Sequence, residues 1–188
     1  MDVYGARQFV IVALQSLLAA TVNSKAIEPH RGQFASLEEI RNIALRSPAV
    51  RVAFRGLQGA DRQGPELIAD VLWSIHIIAN DTRAEARNTL AGGVAVTVLD
   101  HIVAEAPHWP FVEGGAEQAT AIDLTTLELD KNGVSLWQVS WRQQCRLQLI
   151  DPLSGLDDFG GFDADHFAPD NTDSAPLAQT HADYCREI

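Results

Sequence analysis

Between Val134 and Leu149 the chain alternates apolar and polar residues over sixteen positions, a period that only an extended strand accommodates. Trp137, Val139, Trp141, Cys145, Leu147 and Leu149 share one parity, while Gln138, Ser140, Arg142, Gln144, Arg146 and Gln148 share the other. One face is therefore expected to be buried and the other wet. At about 3.3 Å per residue the strand would run roughly 50 Å, well beyond the usual five or six residues. A domain of this size cannot cover all of it, so its far end is expected to leave the core and lie against another subunit. A bulge near Gln143 that bends or stops the strand is the alternative.

A strand of this kind needs a sheet, and Gly32 to Gly56 supplies one compact helix–strand unit. Ser36 with Glu39 three residues on is a capping-box pattern, followed by Leu37, Ile40, Ile43 and Ala44 at helical spacing. Pro48 disfavours helical geometry at Ser47 and ends the turn. Val50, Val52 and Phe54 then alternate with Arg51, Ala53 and Arg55, predicting a strand with one buried and one polar face.

The remaining elements follow in order. Ala6, Phe9, Val10, Ala13, Leu14 and Leu17 form one face of a helix over 6–20. Val22 to Ile27 reads as a short edge strand, and Gln58 to Pro65 as a polar loop. From Leu67 to Ala79 every second residue is apolar and the other parity is apolar in part, which marks a central strand. Asp81 or Thr82 can cap a helix over 84–105, lined by Leu90, Val94, Val98 and Ile102 and broadened by Val96, Leu99 and Val103. Gly92-Gly93 inside it costs about 1 kcal/mol per glycine, and close approach to the sheet or another helix is the expected reason. Trp109 and Phe111 sit in a loop bracketed by Pro107 and Pro110, either as a contact surface or as a plug over the core. Ala119 to Leu129 and the long strand form a hairpin turning at Asp130-Lys131-Asn132-Gly133. The sum is an α+β sandwich: a mostly antiparallel sheet of four or five strands with two main helices on one face.

Charge divides the chain. Residues 151–188 hold nine carboxylates against Arg186 alone, a net −8, whereas residues 1–150 carry only −3. The expected organisation is one α/β domain over 1–150 and an acidic, aromatic-containing extension over 151–188, with Phe159, Phe162 and Phe167 spaced as anchors. An acidic total argues against a protein held to nucleic acid by phosphate neutralisation. No run of about 18 apolar residues occurs, so no membrane-spanning helix is expected. The apolar run Phe9–Ala20 is interrupted by Gln15 and Ser16, which reads as an amphipathic helix and not a signal peptide. Cys145 and Cys185 lie in no metal or redox spacing and are expected to be free thiols.

No catalytic constellation emerges, so no enzymatic activity, metal or cofactor is expected. The six histidines have no partner at metal-ligand spacing, and the nucleophile-elbow, phosphate-loop and dinucleotide fingerprints are absent. Asp157, Asp158, Asp163 and Asp165 around Gly160-Gly161 depart from the EF-hand spacing. A small metal-dependent enzyme built on that cluster is the least supported of the alternatives.

The order of parts carries a resemblance. The segments Gly32-Gln33-Phe34, Arg46-Ser47-Pro48-Ala49-Val50 and Leu129 through Trp137 and Trp141, in that order over residues 3–149, resemble the Mu-like phage and prophage family of small tail-terminator or neck proteins. The acidic segment after Asp151 departs from the family pattern. The resemblance implies a virion subunit, assembled in the bacterial cytoplasm, that forms a ring of about six copies at the head-proximal end of the tail tube. It implies as partners a second copy of the chain, the tail tube protein and a head-completion or connector protein, with genome DNA only passing through the lumen. A head–tail adaptor is the alternative role. A ring needs two different patches on each subunit, and charge segregation points to acidic tail residues of one copy meeting arginines of the next. The expected interface residues are Arg51, Arg55, Trp109, Arg142 and Arg146 with Asp157, Asp158, Phe159, Phe162 and Phe167.

Overall fold

Two helical faces and three very long strands determine the architecture. The computed structural model describes residues 1–149 and, as backbone, 162–166 and 178–182; the chain divides into two units, Met1–Leu149 and Ile150–Ile188. The first unit holds α1 (Val3–Leu17), β1 (Ile27–His30), α2 (Leu37–Ala44), β2 (Ala49–Gln63), β3 (Glu66–Asn80), α3 (Ala84–Glu105), β4 (Glu117–Asp123), α4 (Leu127–Lys131) and β5 (Val134–Gln148). The five strands form one sheet in the order β1-β2-β3-β5-β4, antiparallel except for the β1/β2 pair. This is an α+β fold with a mostly antiparallel sheet, as the patterning predicts. In the second unit, β6 (Phe162–His166) and β7 (Ala178–Ala182) pair antiparallel.

The sheet is covered unequally. α1 and α3 pack on one face, where Ala6, Val10, Leu14, Ala91, Ala95 and Val98 meet Val50, Val52, Trp73, Ile75, Val139 and Trp141 in the main core. α2 and α4 cover only part of the other face, around Ile78, Val134 and Leu136. β3 lies at the centre, which is why both of its parities turn apolar toward the Asn80 end.

Several expectations change on contact with the structure. Gln58–Pro65 is not a loop: β2 runs on to Gln63 and turns at Gly64-Pro65, with register shifts after Phe54 and Gln58. The short strand near Val22 is displaced; Ser24–Ala26 forms a 3₁₀ turn and β1 starts at Ile27. The strand leading into the last hairpin ends at Asp123, and α4, capped by Thr126, replaces its remainder. The far end of β5 does not leave the core. It pairs with β3 residue for residue from Asn80↔Val134 to Glu66↔Gln148, and no bulge interrupts that register at Gln143. Cys145 and Leu147 are buried there, and Phe111, Glu113 and Met1 bond its backbone from the side.

α3 is the one helix among the described residues long and apolar enough to pass a length-and-composition test for a membrane span. Its inner side is the core contact with β3, β4 and β5. Its two glycines differ. A Cβ on Gly92 would come within 3.3 Å of the Trp137 ring, so close approach to the sheet explains that residue, whereas nothing lies within 4 Å of the corresponding position at Gly93. Gly93→Ala is accordingly expected to raise stability by about 0.5–1 kcal/mol through helix propensity, and Gly92→Ala to gain less or lose, as chemical denaturation would measure.

Candidate functional site

The side chains with chemical potential gather on the partly covered face. Ser36 Oγ accepts the amide of Glu39 at 3.1 Å, as the capping pattern predicts. The Glu39 carboxylate reaches one residue further back than a capping box requires, to the Ala35 amide at 2.5 Å, and also takes bonds from Arg31 at 3.3 Å and His30 at 3.4 Å. The Ala35 amide above all, then His30 and Arg31, holds that carboxyl below its ordinary pKa. The segment between β1 and α2 is thereby fixed over the sheet. Its Phe34 ring stacks on His30 with centroids 4.7 Å apart and meets His76 edge-on at 5.0 Å.

His76 lies on β3 opposite Arg51 and Gln138. It is buried, and its Nε2 is 3.1 Å from Gln138 Oε1 while its Nδ1 has no partner. Burial, reinforced by His30 and Arg55, pushes its pKa down to about 4. A neutral imidazole with no nucleophile or carboxylate on it is a packing element in chemical terms. Cys145, the free cysteine of the described residues, is likewise inert, because burial pushes its thiol up to about 12.

Two further polar clusters tie the elements around this face. Arg87, buried on α3, donates to the Asp81 carbonyl at 2.7 Å and pairs with Asp130 at the end of α4. Ser47 Oγ takes the Asn80 amide at 2.8 Å, joining the start of β2 to the end of β3. On β5, Arg142 pairs with Glu117 and lies 3.8 Å from Asp70, and Arg146 bonds Glu66 at 2.7 Å and Glu113 at 2.5 Å. Their carboxylate partners raise the pKa of both guanidiniums. Both are thus matched within the chain and offer no unneutralised track to a phosphate backbone.

The residues expected to form an interface separate into three groups. Arg142 and Arg146 lie on the open part of the sheet face but are already ion-paired; Arg55, exposed on β2, donates to the Gly32 carbonyl. Arg51 and Trp109 are inside and need correcting. Arg51 NH1 bonds the Ala26 carbonyl at 2.9 Å and NH2 bonds Glu28 at 2.8 Å, because β1 beside it covers what the alternation alone marks as a polar face. Trp109 is the plug, not the contact surface: it packs edge-on against Phe9 at 5.9 Å and Trp141 at 6.4 Å. Asp157, Asp158, Phe159 and Phe167, with Asp163, Asp165 and Cys185, lie outside the residues whose side chains are described, and Phe162 is described only as the first residue of β6.

Glu28, held between Arg51 and Arg46 at 3.0 Å, floors a shallow depression of about 560 Å³ beside α2. The Glu28 carboxylate pairs with both cations. Among the described residues no three His, Cys, Asp or Glu side chains gather as a metal site. The His30–Phe34–His76 group escapes sequence reasoning because His76 on β3 is more than forty residues from the stretch that carries His30 and Phe34. Its one trace is His76, a ring that carries a titratable group in a strand otherwise marked as central.

No family model matches the chain, and no curated protein matches it. Among solved structures it is similar to a chain described as the virion of a native gene transfer agent particle, with 13% identity and a TM-score of 0.38 over 71% of this chain and 84% of that one. A likeness that slight carries no weight for function.

Proposed function

We propose that this protein is a structural subunit of a phage-type virion, a tail terminator that forms a ring at the head-proximal end of the tail tube. Bound there, it would stop tube growth and present a surface to the head-completion proteins. The observation that supports this reading is where the family-like segments fall. Phe34, Ser47 and the stretch from Leu129 to Leu136 come together at one corner of the partly covered sheet face, while Ala49, Val50, Trp137 and Trp141 of the same segments lie in or against the main core. Phe34, Leu129, Val134 and Leu136 share the small second core with α2, and Ser47 ties that corner to Asn80. The family-like segments thus contribute to both cores and join them across the sheet. The inert His76 and Cys145 and the self-paired arginines fit a part whose work is assembly.

In this role the chain needs no cofactor. Its partners are other copies of itself, about six to a ring, the tube protein and a connector protein. DNA would pass the lumen without being held, and the net charge of −11 favours passage without adhesion. The test is to add the purified protein to growing tail tubes and image them. Protein at one end of the tubes with elongation arrested is the expected result. Tubes that lengthen unchanged would refute it, and binding to purified portal in their place would identify a head–tail adaptor.

A further inference from the structure

The helical layer carries two outward stripes that the described residues leave uncovered. On α3, Thr89, Gly93, Val96, Asp100 and Val103 recur at steps of four, three, four and three, which puts them on one line along the helix. This line faces away from the core: Val96 is 61% and Val103 57% exposed. A helix apolar on both sides is normally covered on both. Gly93 belongs to the same line and, unlike Gly92, has none of the described residues within 4 Å of where a Cβ would stand. The second stripe is on α1, where Tyr4 is 65% and Val12 52% exposed and the Arg7 guanidinium lies 5.4 Å from the centre of the Tyr4 ring.

These stripes differ in charge and in position. Arg7 supplies a cation to the first and Asp100 an anion to the second. α1 lies over β1 and β2, and α3 over β3, β5 and β4. Two unlike patches at separate places on one chain make a heterologous contact, which repeats from copy to copy and closes into a ring when the rotation allows. We infer that the outer stripe of α3 is the docking surface for the outer stripe of α1 of a second copy, with Tyr4 and Val12 against Val96 and Val103, Arg7 beside Asp100, and Gly93 permitting close approach of the helices. This deepens the ring reading above and rests on it only for the ring's place in a virion.

The test is cross-linking between copies. In the full chain carrying Cys185→Ser, one preparation receives Val12→Cys and another Val96→Cys; both positions are exposed, so folding is retained. Mixed under mild oxidation, the two should give a species at twice 20.5 kDa that neither gives alone. Adding Asp100→Arg to the Val96→Cys chain should lower its yield, and Arg7→Glu in the Val12→Cys chain should restore it. A mixture that stays monomeric overturns the inference, as does a dimer formed equally well by either variant alone. Co-sedimentation of the wild type with phosphatidylcholine vesicles would overturn it in favour of a lipid surface. A cross-link obtained with tubes that nonetheless grow unchanged would leave the contact standing and remove only the terminator role.

Discussion

Trp141→Ala is expected to destabilise the protein by about 4 kcal/mol, within the 3–5 kcal/mol typical of removing a buried aromatic side chain. The indole stands where three parts of the main core meet. It stacks on Trp73 of β3 with centroids 5.9 Å apart and 16° between planes, and it receives the edge of Trp109 from the loop after α3. Its Nε1 donates to Gln143 Oε1 at 3.1 Å, and Gln143 in turn holds the Ala106 carbonyl at 2.9 Å. Truncation therefore leaves a cavity and also frees one acceptor of a buried amide that anchors the loop. For a chain of this length the loss corresponds to a fall in Tm of roughly 8–16 °C. Calorimetry at neutral pH measures it. Trp141→Phe, which keeps most of the ring but not the donor, should cost about 1–3 kcal/mol. A change below about 1 kcal/mol for alanine would mean that the aromatic cluster is not the centre of the core.

How much of this core was legible depends on whether the covering element lay near in sequence. The α2–β2 unit was readable from a helix period, the Ser36 cap and a proline stop, and α3 from its period alone: its N-cap is Arg83, with no side-chain cap bond, and not the expected Asp81 or Thr82. β5 was readable as a strand, but the inference that a strand so long must reach another subunit failed for a definite reason. β3, of equal length, pairs with it along its whole run, and β2, equally long, flanks β3 on the other side, where its composition had hidden it. From Leu57 to Gln63 both faces of β2 are exposed, so no apolar parity is present to betray a strand, and Gly59 and Gly64 imitate a loop. α4 spans five residues, too few to show a helical period, and its Asp130–Gly133 end imitates a hairpin turn.

The candidate site was less legible than the fold. Arg51, Arg142 and Arg146 were all picked out by the alternation of their strands, yet their state is set by carboxylates at Glu28, Glu66, Glu113 and Glu117 that come from other elements. Trp109 has no local pattern at all, and its burial depends on Phe9 and Trp141. Parity tells which way a side chain points; what awaits it there is a tertiary fact. The outer line of α3 shows the converse. Val96 and Val103 broaden the apolar stripe in the sequence as though they were core, and the structure leaves them in solvent. An excess of apolar surface over what the subunit can bury was therefore present in the sequence, without any indication of which side of the helix it occupied.

Acid should loosen the protein well above the pH at which its carboxylates protonate, and His76 is the reason. An imidazole free in the unfolded chain titrates near 6.5, and in the folded protein burial, with His30 and Arg55 adding to it, moves that to about 4. The folded state thus binds fewer protons than the unfolded state across this interval. Its stability is complete above about pH 6.5 and declines as pH falls toward 4, by roughly 3 kcal/mol in all. The carboxyls held below their ordinary values by hydrogen bonds, Glu39 from the Ala35 amide and Glu113 from Arg146, add losses only at the lower end of that range and beneath it. Denaturant unfolding at half-unit steps from pH 7.5 to 4 separates the two contributions. In His76→Phe the slope between pH 6.5 and 5 should flatten, although the variant starts less stable at pH 7 because the Gln138 amide loses its partner. A slope that persists unchanged in the variant would assign the acid sensitivity elsewhere. Phe34 and His30 lie against this ring, so its protonation should first release the segment between β1 and α2. Protection of the Gly32 and Ala35 amides, relative to free-peptide exchange at the same pH, should accordingly fall at mildly acidic pH before the main core opens.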